Sequence, residues 1–325
     1  MKAWTWERYG PPDVLTLRDV DEPGIARDEV LVRVRAASVN PYDWRHLRAD
    51  PHLVRLSIGL RRPKAGLVLG ADLAGVVERV GEEVTGLRPG DEVFGEVPLG
   101  AFAEAVAVSP RTLAVKPAGL SFERAAAVSM AAHTALQGLR DEGRIAPGQR
   151  VLINGASGGI GTFAVQLAKV LGAEVTGVCS TRNLELVRSL GADDVVDYTG
   201  EDFTERDERY DLLMDIVGDR SLAGLRRVLT PRGTLVIVGG IASTSRLLGP
   251  AAQMLRGALA SRFVGHRIAS VAWKPNAGDL RFLAELMEEG RITPVIDRTY
   301  PFTELPEALR HLERRHARGK IAITF

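Results

Sequence analysis

In the run from Val151 to Gly161, VLINGASGGIG, three apolar residues lead straight into a glycine-rich turn. Glycines at such a turn let the backbone approach a diphosphate, and a helix opening behind it aims unpaired N–H groups at the anion. Apolar residues at Ile160, Phe163, Ala164, Leu167, Ala168 and Leu171 recur at helical spacing, so the turn is expected to open a helix. Ser157, Gly158, Gly159 and Ile160 are therefore candidate contacts to the diphosphate of a dinucleotide, and Gly161 would let the helix pack closely on its strand. The motif reads A-S-G-G-I-G rather than G-x-G-x-x-G, and taken alone it also fits an ordinary tight turn.

The next strand, Val175 to Cys179, bears on which dinucleotide. Sites that hold NAD usually end this strand on an acid that binds the ribose 2′-OH. Here the end reads Cys179-Ser180-Thr181-Arg182, with no acid before Glu185. Hydroxyls and a guanidinium suit a 2′-phosphate, because Arg offers charge-assisted hydrogen bonds where an acid would repel. Ser180 and Arg182 thus point to NADP(H). The competing reading has Ser180 capping the next helix and Arg182 solvated.

Other chemistry-bearing residues offer less. Cys179 is the single cysteine, which excludes an internal disulfide and a cysteine-clustered metal site. His133 sits in an alanine-rich helical segment as a core or cleft-edge residue, His311 and His316 lie on a charged helical stretch, and no Ser, His and Asp arrangement is readable from spacing. Formal net charge is +1 with interspersed charges, so neither a nucleic-acid nor a membrane footprint is expected. The start, MKAWTWERYG, does not read as a secretory signal, and no apolar run is long enough to span a bilayer, which makes a cytoplasmic protein the expectation.

The elements that must position these residues fall into two textures. Up to about residue 120, short β-patterned runs (Val30 to Val39, Gly75 to Val80, Glu92 to Phe94, Phe102 to Val108, Leu113 to Val115) alternate with Gly-, Pro- and Asp-rich turns, which predicts an antiparallel β-rich module. After Ser121 the pattern becomes alternating helix and strand, with strands near 151–153, 174–179, 194–197, 211–216, 233–239 and 262–265. That pattern predicts a doubly wound parallel sheet. At 325 residues with 45% apolar content, two domains are expected.

Several segments in this order carry a family resemblance: Arg35 to Trp44 (RAASVNPYDW), Leu69 to Val77 (LGADLAGVV), Pro89 to Phe94 (PGDEVF), Ala132 to Leu136 (AHTAL), the glycine turn, Leu190 to Asp193 (LGAD) and Gly319-Lys320. The chain resembles the zinc-independent medium-chain dehydrogenase/reductase superfamily, in its quinone oxidoreductase and zeta-crystallin branch. The resemblance implies an α/β chain with a GroES-like β-rich catalytic domain (1–120 and 268–325) and a Rossmann NADP-binding domain (121–267), the cofactor lying in the cleft. It also implies roles for single positions. Asn40 would stand near the nicotinamide ribose and substrate, Thr134 beside the nicotinamide half, and Tyr198 over the adenosine phosphate end. Val217, Gly239, Phe263 and Val264 would line the path between adenine ribose and carboxamide, with Lys320 near the cleft. Read from spacing alone, Asn40 is also a turn residue before Pro41 and Lys320 a solvated lysine.

Zinc alcohol dehydrogenases of this superfamily hold a metal with a thiolate, an imidazole and an acid or second thiolate. Asn40 stands where the first cysteine would be, and Gly70-Ala71-Asp72 replaces the segment that brings the histidine, so no metal ligands are expected. Without a Lewis acid, hydride addition to a quinone or an α,β-unsaturated carbonyl is easier than alcohol oxidation, since charge spreads onto an oxygen that hydrogen-bond donors can hold. The expected function is an NADPH-dependent reductase of a small quinone, enone or enal, working as a homodimer. The alternatives are an NADPH-binding sensor with little turnover and, further off, a zinc-dependent alcohol dehydrogenase. For proton donation the candidates are His52, Tyr42 and solvent, and Trp44 is a candidate flat wall for an aromatic substrate.

Overall fold

The computed structural model describes residues 1–238 and 265–325, and its chain divides into one unit of Met1–His133 with Lys274–Phe325 and a second of Thr134–Trp273. Along the first unit run β1 (Lys2–Trp6), β2 (Leu15–Asp19), β3 (Val30–Val39), α1 (Pro41–Arg48), α2 (Arg55–Ile58), β4 (Asp72–Val80), β5 (Glu92–Glu96), β6 (Ala105–Val108), β7 (Leu113–Val115) and α3 (Phe122–Ala126). Helix α4 (Ser129–Gln137) carries the chain across the boundary. The second unit continues with β8 (Arg150–Asn154), α5 (Gly159–Val170), β9 (Glu174–Cys179), α6 (Leu184–Ser189), β10 (Asp194–Asp197), β11 (Tyr210–Asp215), α7 (Leu222–Arg227), β12 (Leu229–Ile237) and β13 (Arg267–Ser270). The chain then returns through α8 (Ala277–Glu288), β14 (Ile296–Pro301), α9 (Leu305–Glu313) and β15 (Lys320–Thr324).

The β-branched run of β3 suits a pleated, buried surface, and β3 becomes the spine of the first unit's sheet. Its order is β14-β15-β3-β4-β5-β7, with β6 also paired to β3. All these pairs are antiparallel except β14 with β15, which is parallel because α9 intervenes as a crossover. Within residues 1–120 every strand pair is antiparallel, as the turn pattern predicts, and the parallel pair is added by the returning segment. Residues from both ends of the chain fill one core, where Trp4, Trp6, Val39, Leu47, Phe102, Leu305, Leu309, Ile321 and Ile323 are buried together.

Among the described residues of the second unit, six parallel strands follow the order β10-β9-β8-β11-β12-β13. Numbered within the unit this is 3-2-1-4-5-6, the doubly wound order whose ligand crevice opens at the carboxyl ends of the first and fourth strands. Strands β8 and β11 read as continuous apolar runs because helices cover both faces of such a sheet.

Two boundaries and one strand differ from the sequence expectation. The first unit extends past residue 120 to His133, because α3 packs on β3, β4 and β15. Residues 268–270 belong to the second unit, since β13 pairs in parallel with β12. The last strand expected near 262–265 has residues 262–264 outside the described ones, and β13 lies further along. No helix among the described residues is long and apolar enough to cross a membrane.

Ile323 is fully buried in β15 between Ala37 and Tyr300. Ile323→Ala is expected to cost about 2–5 kcal/mol, seen as a lower urea midpoint at unchanged slope.

Candidate active site

In the second unit, the glycine turn lies at the carboxyl end of β8, beside β11. Ser157, Gly158, Gly159 and Ile160 are all half-buried there, and α5 begins at Gly159. The first N–H groups of a helix have no intrahelical acceptor, so this end offers donors to an anion. Two glycines answer to different demands. A Cβ at Gly161 would stand 2.0 Å from the Gly155 carbonyl oxygen, so the fold itself requires glycine there. A Cβ at Gly158 would meet nothing nearer than that oxygen at 3.5 Å, so nothing within the chain demands a glycine. The backbone there is open to close approach by a diphosphate. Val217 borders the turn, its Cγ2 2.8 Å from where a Gly155 Cβ would be.

The next loop holds Ser180, Thr181, Arg182 and Asn183. Asn183 is buried, and its Nδ2 donates to Ser157 Oγ at 3.0 Å and to Ser180 Oγ at 3.2 Å, while its Oδ1 is buried without a partner among the described residues. Having accepted from Asn183, each serine keeps its own proton to donate. The reverse amide orientation would orphan two N–H donors in place of one acceptor. Arg182 is exposed, and so is Tyr198, whose N–H donates to the Cys179 carbonyl at 3.1 Å. Burial pushes the Cys179 thiol up to about 11, so it carries no thiolate at neutral pH. These residues fit a dinucleotide phosphate.

One acid does reach this end. Asp197 on β10 lies opposite Cys179 and accepts from Thr181 Oγ1 at 2.6 Å, Thr199 Oγ1 at 2.7 Å and Thr199 N–H at 3.0 Å. Those bonds, led by that from Thr181, hold its carboxyl below the usual range. The acid-free reading of β9 missed it because it arrives from the neighbouring strand. At the switch point Asn154 Nδ2 donates to Asp215 Oδ1 at 2.9 Å and to Asp219 Oδ1 at 3.3 Å, and the Gly218 N–H also donates to Asp215. Burial pushes the Asp215 carboxyl up against those bonds. Polar residues ending two apolar strands were the available signal for this pair. Thr134 is buried in α4. Gly239, Phe263 and Val264 lie outside the described residues.

In the first unit the sheet buries a charged cluster. Asn40 ends β3 and caps α1, whose first residue is Pro41. Its Oδ1 accepts from Lys320 Nζ, and its Nδ2 donates to Asp72 Oδ2 at 2.9 Å. Asp72 Oδ2 accepts further from Lys320 Nζ at 3.0 Å and from Ser38 Oγ at 2.8 Å, and Asp72 Oδ1 accepts from the Met130 N–H at 2.9 Å. Asp72 is fully buried and Lys320 is 4% exposed, which corrects the solvated-lysine alternative. Two of the three ammonium protons are used, and the third has no partner among the described residues. Asp43 lies in the same pocket and accepts from the Asn40 N–H at 2.7 Å. Burial above all, and the nearby Asp72 charge, push the Asp43 carboxyl up to about 8 against that bond.

The sequence reading named Asp72 and Asp43 only as members of family-like segments, with Asp72 also interrupting an apolar stretch and standing where a metal-ligand segment would be, and gave neither a role in a buried cluster. A lone acid inside the apolar run Leu67 to Val77 was the signal, since such a carboxylate needs a buried cation. Tyr42 faces elsewhere: its hydroxyl donates to the Pro98 carbonyl at 2.9 Å, its ring packs on His46, and burial pushes the phenol up to about 12. His52 is exposed in a 3-10 turn, and no hydrogen bond among the described residues joins it to the cluster. Trp44 is half-buried under the Arg45 guanidinium. His133 is fully buried, bonded through Nδ1 to Glu96 and through Nε2 to the Asn276 carbonyl at 3.2 Å. Among the described residues, no three His, Cys, Asp or Glu side chains are placed to hold a metal ion.

Comparison with known proteins gives two family matches: an alcohol dehydrogenase GroES-like domain over residues 26–118 and a zinc-binding dehydrogenase over residues 190–323. The chain is 35% identical over 337 residues to the 2-methylene-furan-3-one reductase of Solanum lycopersicum, covering 99% of this chain and 79% of that one. It is 35% identical over 356 residues to the mitochondrial NAD(P)H oxidoreductase RTN4IP1 of Bos taurus, covering 99% and 89%. The quinone oxidoreductase of Coxiella burnetii superposes with a TM-score of 0.86 at 31% identity, covering 100% and 99%.

The raised value at Asp43 sets a sign for pH. The native state keeps a proton that the unfolded chain releases near pH 4, so stability falls as pH rises from about 4 to about 8. Asp43→Asn keeps an acceptor for the Asn40 N–H and cannot titrate, so it is expected to flatten the decline of Tm between about pH 5 and 8. An unaltered slope in thermal melts would refute the assignment.

Proposed function

Because this chain belongs to the medium-chain dehydrogenase/reductase superfamily, in the branch of the quinone oxidoreductases, we propose that it reduces quinones or α,β-unsaturated carbonyls with NADPH. The observation that supports the reading is the buried Lys320 ammonium, fixed by Asn40 and Asp72 with one N–H that has no partner among the described residues. When bound, the cofactor supplies the hydride. Reduction of a conjugated acceptor then moves negative charge onto its oxygen, and the remaining Lys320 N–H is the donor that holds it. A preorganised donor in a buried site needs no rearrangement as that charge appears. Asn40 acts here as a positioning residue, since its amide is spent on Asp72 and Lys320. With His52 exposed and the Tyr42 phenol pushed up to about 12, solvent supplies the proton that completes the reduction.

For the cofactor, Ser157 to Ile160 and the start of α5 hold the diphosphate, and Ser180 and Arg182 take the 2′-phosphate with Tyr198 beside them. Thr134 and Val217 complete this set in the second unit. The assembly is a homodimer, for which β13, last among the described strands of the parallel sheet, offers an edge. A reducing, cytoplasmic compartment suits the lone buried thiol of Cys179.

The purified protein is expected to oxidise NADPH in the presence of at least one class among quinones, enals and enones, followed by nicotinamide absorbance. Lys320→Met should lower kcat by about 10²–10³-fold while NADPH still binds. Tight NADPH binding with no turnover on any acceptor would favour a sensor instead. For cofactor choice, Arg182→Ala is expected to weaken NADPH binding by about 1–3 kcal/mol more than NADH binding, measured by fluorescence titration. Equal losses for the two cofactors would remove the 2′-phosphate role.

A further inference from the structure

Three of the five large apolar side chains exposed among the described residues lie on one short loop: Leu53 at 50%, Leu56 at 69% and Leu60 at 67% exposure. The same loop is cationic. Arg55, Arg61, Arg62 and Lys64 fall between Pro51 and Ala71, a stretch with no Asp or Glu. The whole-chain balance of +1 conceals this local excess.

The loop is anchored from within, and the leucines are what its anchoring leaves outside. Ile58 is buried in the core with Trp4 and Leu47, Val54 packs against that core, and Pro63 is buried. The Arg55 guanidinium stacks over the Tyr9 ring at 4.8 Å, the Tyr9 hydroxyl donates to the Gly59 carbonyl, and the Lys64 N–H donates to the Ile58 carbonyl at 2.8 Å. Inward positions are therefore filled, while Leu53, Leu56 and Leu60 project with Arg61, Arg62 and Lys64, all exposed.

We propose that the loop from Leu53 to Lys64 docks on an anionic lipid bilayer, seating its leucines at the headgroup boundary while its basic side chains meet lipid phosphates. Apolar residues beside basic ones are the composition that such an interface selects. A second copy of the chain fits less well, because a symmetric contact would set the same uncompensated positive charges against each other. A nucleic acid fits less well still, because the stretch has no Phe, Tyr or Trp to form a stacking platform for bases. The contact is peripheral and is independent of the reductase reading.

The test is co-sedimentation of the full chain with phosphatidylcholine vesicles, with and without phosphatidylglycerol. Binding is expected only with the anionic lipid, and is expected to weaken as salt rises. The triple variant L53S/L56S/L60S and the double variant R61E/R62E should each lower the partition coefficient by about tenfold or more. V115S, which removes an exposed apolar residue elsewhere, should leave it unchanged. Three results would each overturn the proposal: no binding to anionic vesicles, binding that both loop variants retain, or a concentration-dependent dimer that the leucine variant abolishes.

Discussion

Asp72 is a fully buried carboxylate, and four donors from three segments converge on it: Ser38 and Asn40 at the end of β3, Lys320 at the start of β15, and the Met130 N–H in α4. An isolated buried carboxylate costs several kcal/mol, so the sheet that encloses Asp72 is stable only once these partners arrive. One of them lies 248 residues away along the chain. The pairing of β15 with β3 and β14 thus supplies more than a ladder of backbone bonds, because it delivers the counter-charge that lets β4 be apolar around an acid. Removing Lys320 would leave Asp72 unpaired, whereas removing both charges together would relieve much of that cost.

The same pocket holds a second carboxyl, and the charge count limits its state. With Asp43 and Asp72 both ionised, one ammonium would face two negative charges in a buried space. Holding the Asp43 proton to about pH 8 resolves this, leaving one carboxylate against one ammonium at neutral pH. The state of Asp43 therefore sets the field around Lys320: two charged carboxylates beside the ammonium would cancel most of it, and one cancels less.

Much of this molecule was legible in its sequence, for reasons that differ by element. The glycine turn, the apolar periodicity of α5 and the β-branched run of β3 are local signals, and the structure places all three as local reasoning expects. The fold class followed from alternation of elements. What was not legible is contact between segments far apart in sequence. Read from spacing alone, Lys320 is a surface lysine because nothing near it names Asp72, and β14 and β15 are not named as strands because their partners lie elsewhere in the chain. The domain boundary slipped past residue 120 because α3 has its partners in β3, β4 and β15. The leucine and arginine loop was hidden for the opposite reason: averaging charge over the whole chain removed a signal that is local.

The end of β9 shows how sheet register changes a chemical reading. Along the sequence, Ser180, Thr181 and Arg182 form an acid-free set, yet the parallel register with β10 brings Asp197 opposite Cys179. Its charge does not act unopposed, because Thr181 and Thr199 spend three donors on it. Thr181 therefore contributes no hydroxyl proton to an incoming phosphate. Ser157 and Ser180 do, because Asn183 donates to both and leaves their protons free. The corner thus sets two serine hydroxyls and an exposed arginine in the same stretch as one carboxylate that already accepts three hydrogen bonds. The amide of Asn183, invisible to a fingerprint motif, is what fixes both serine oxygens as acceptors and leaves their protons to be donated.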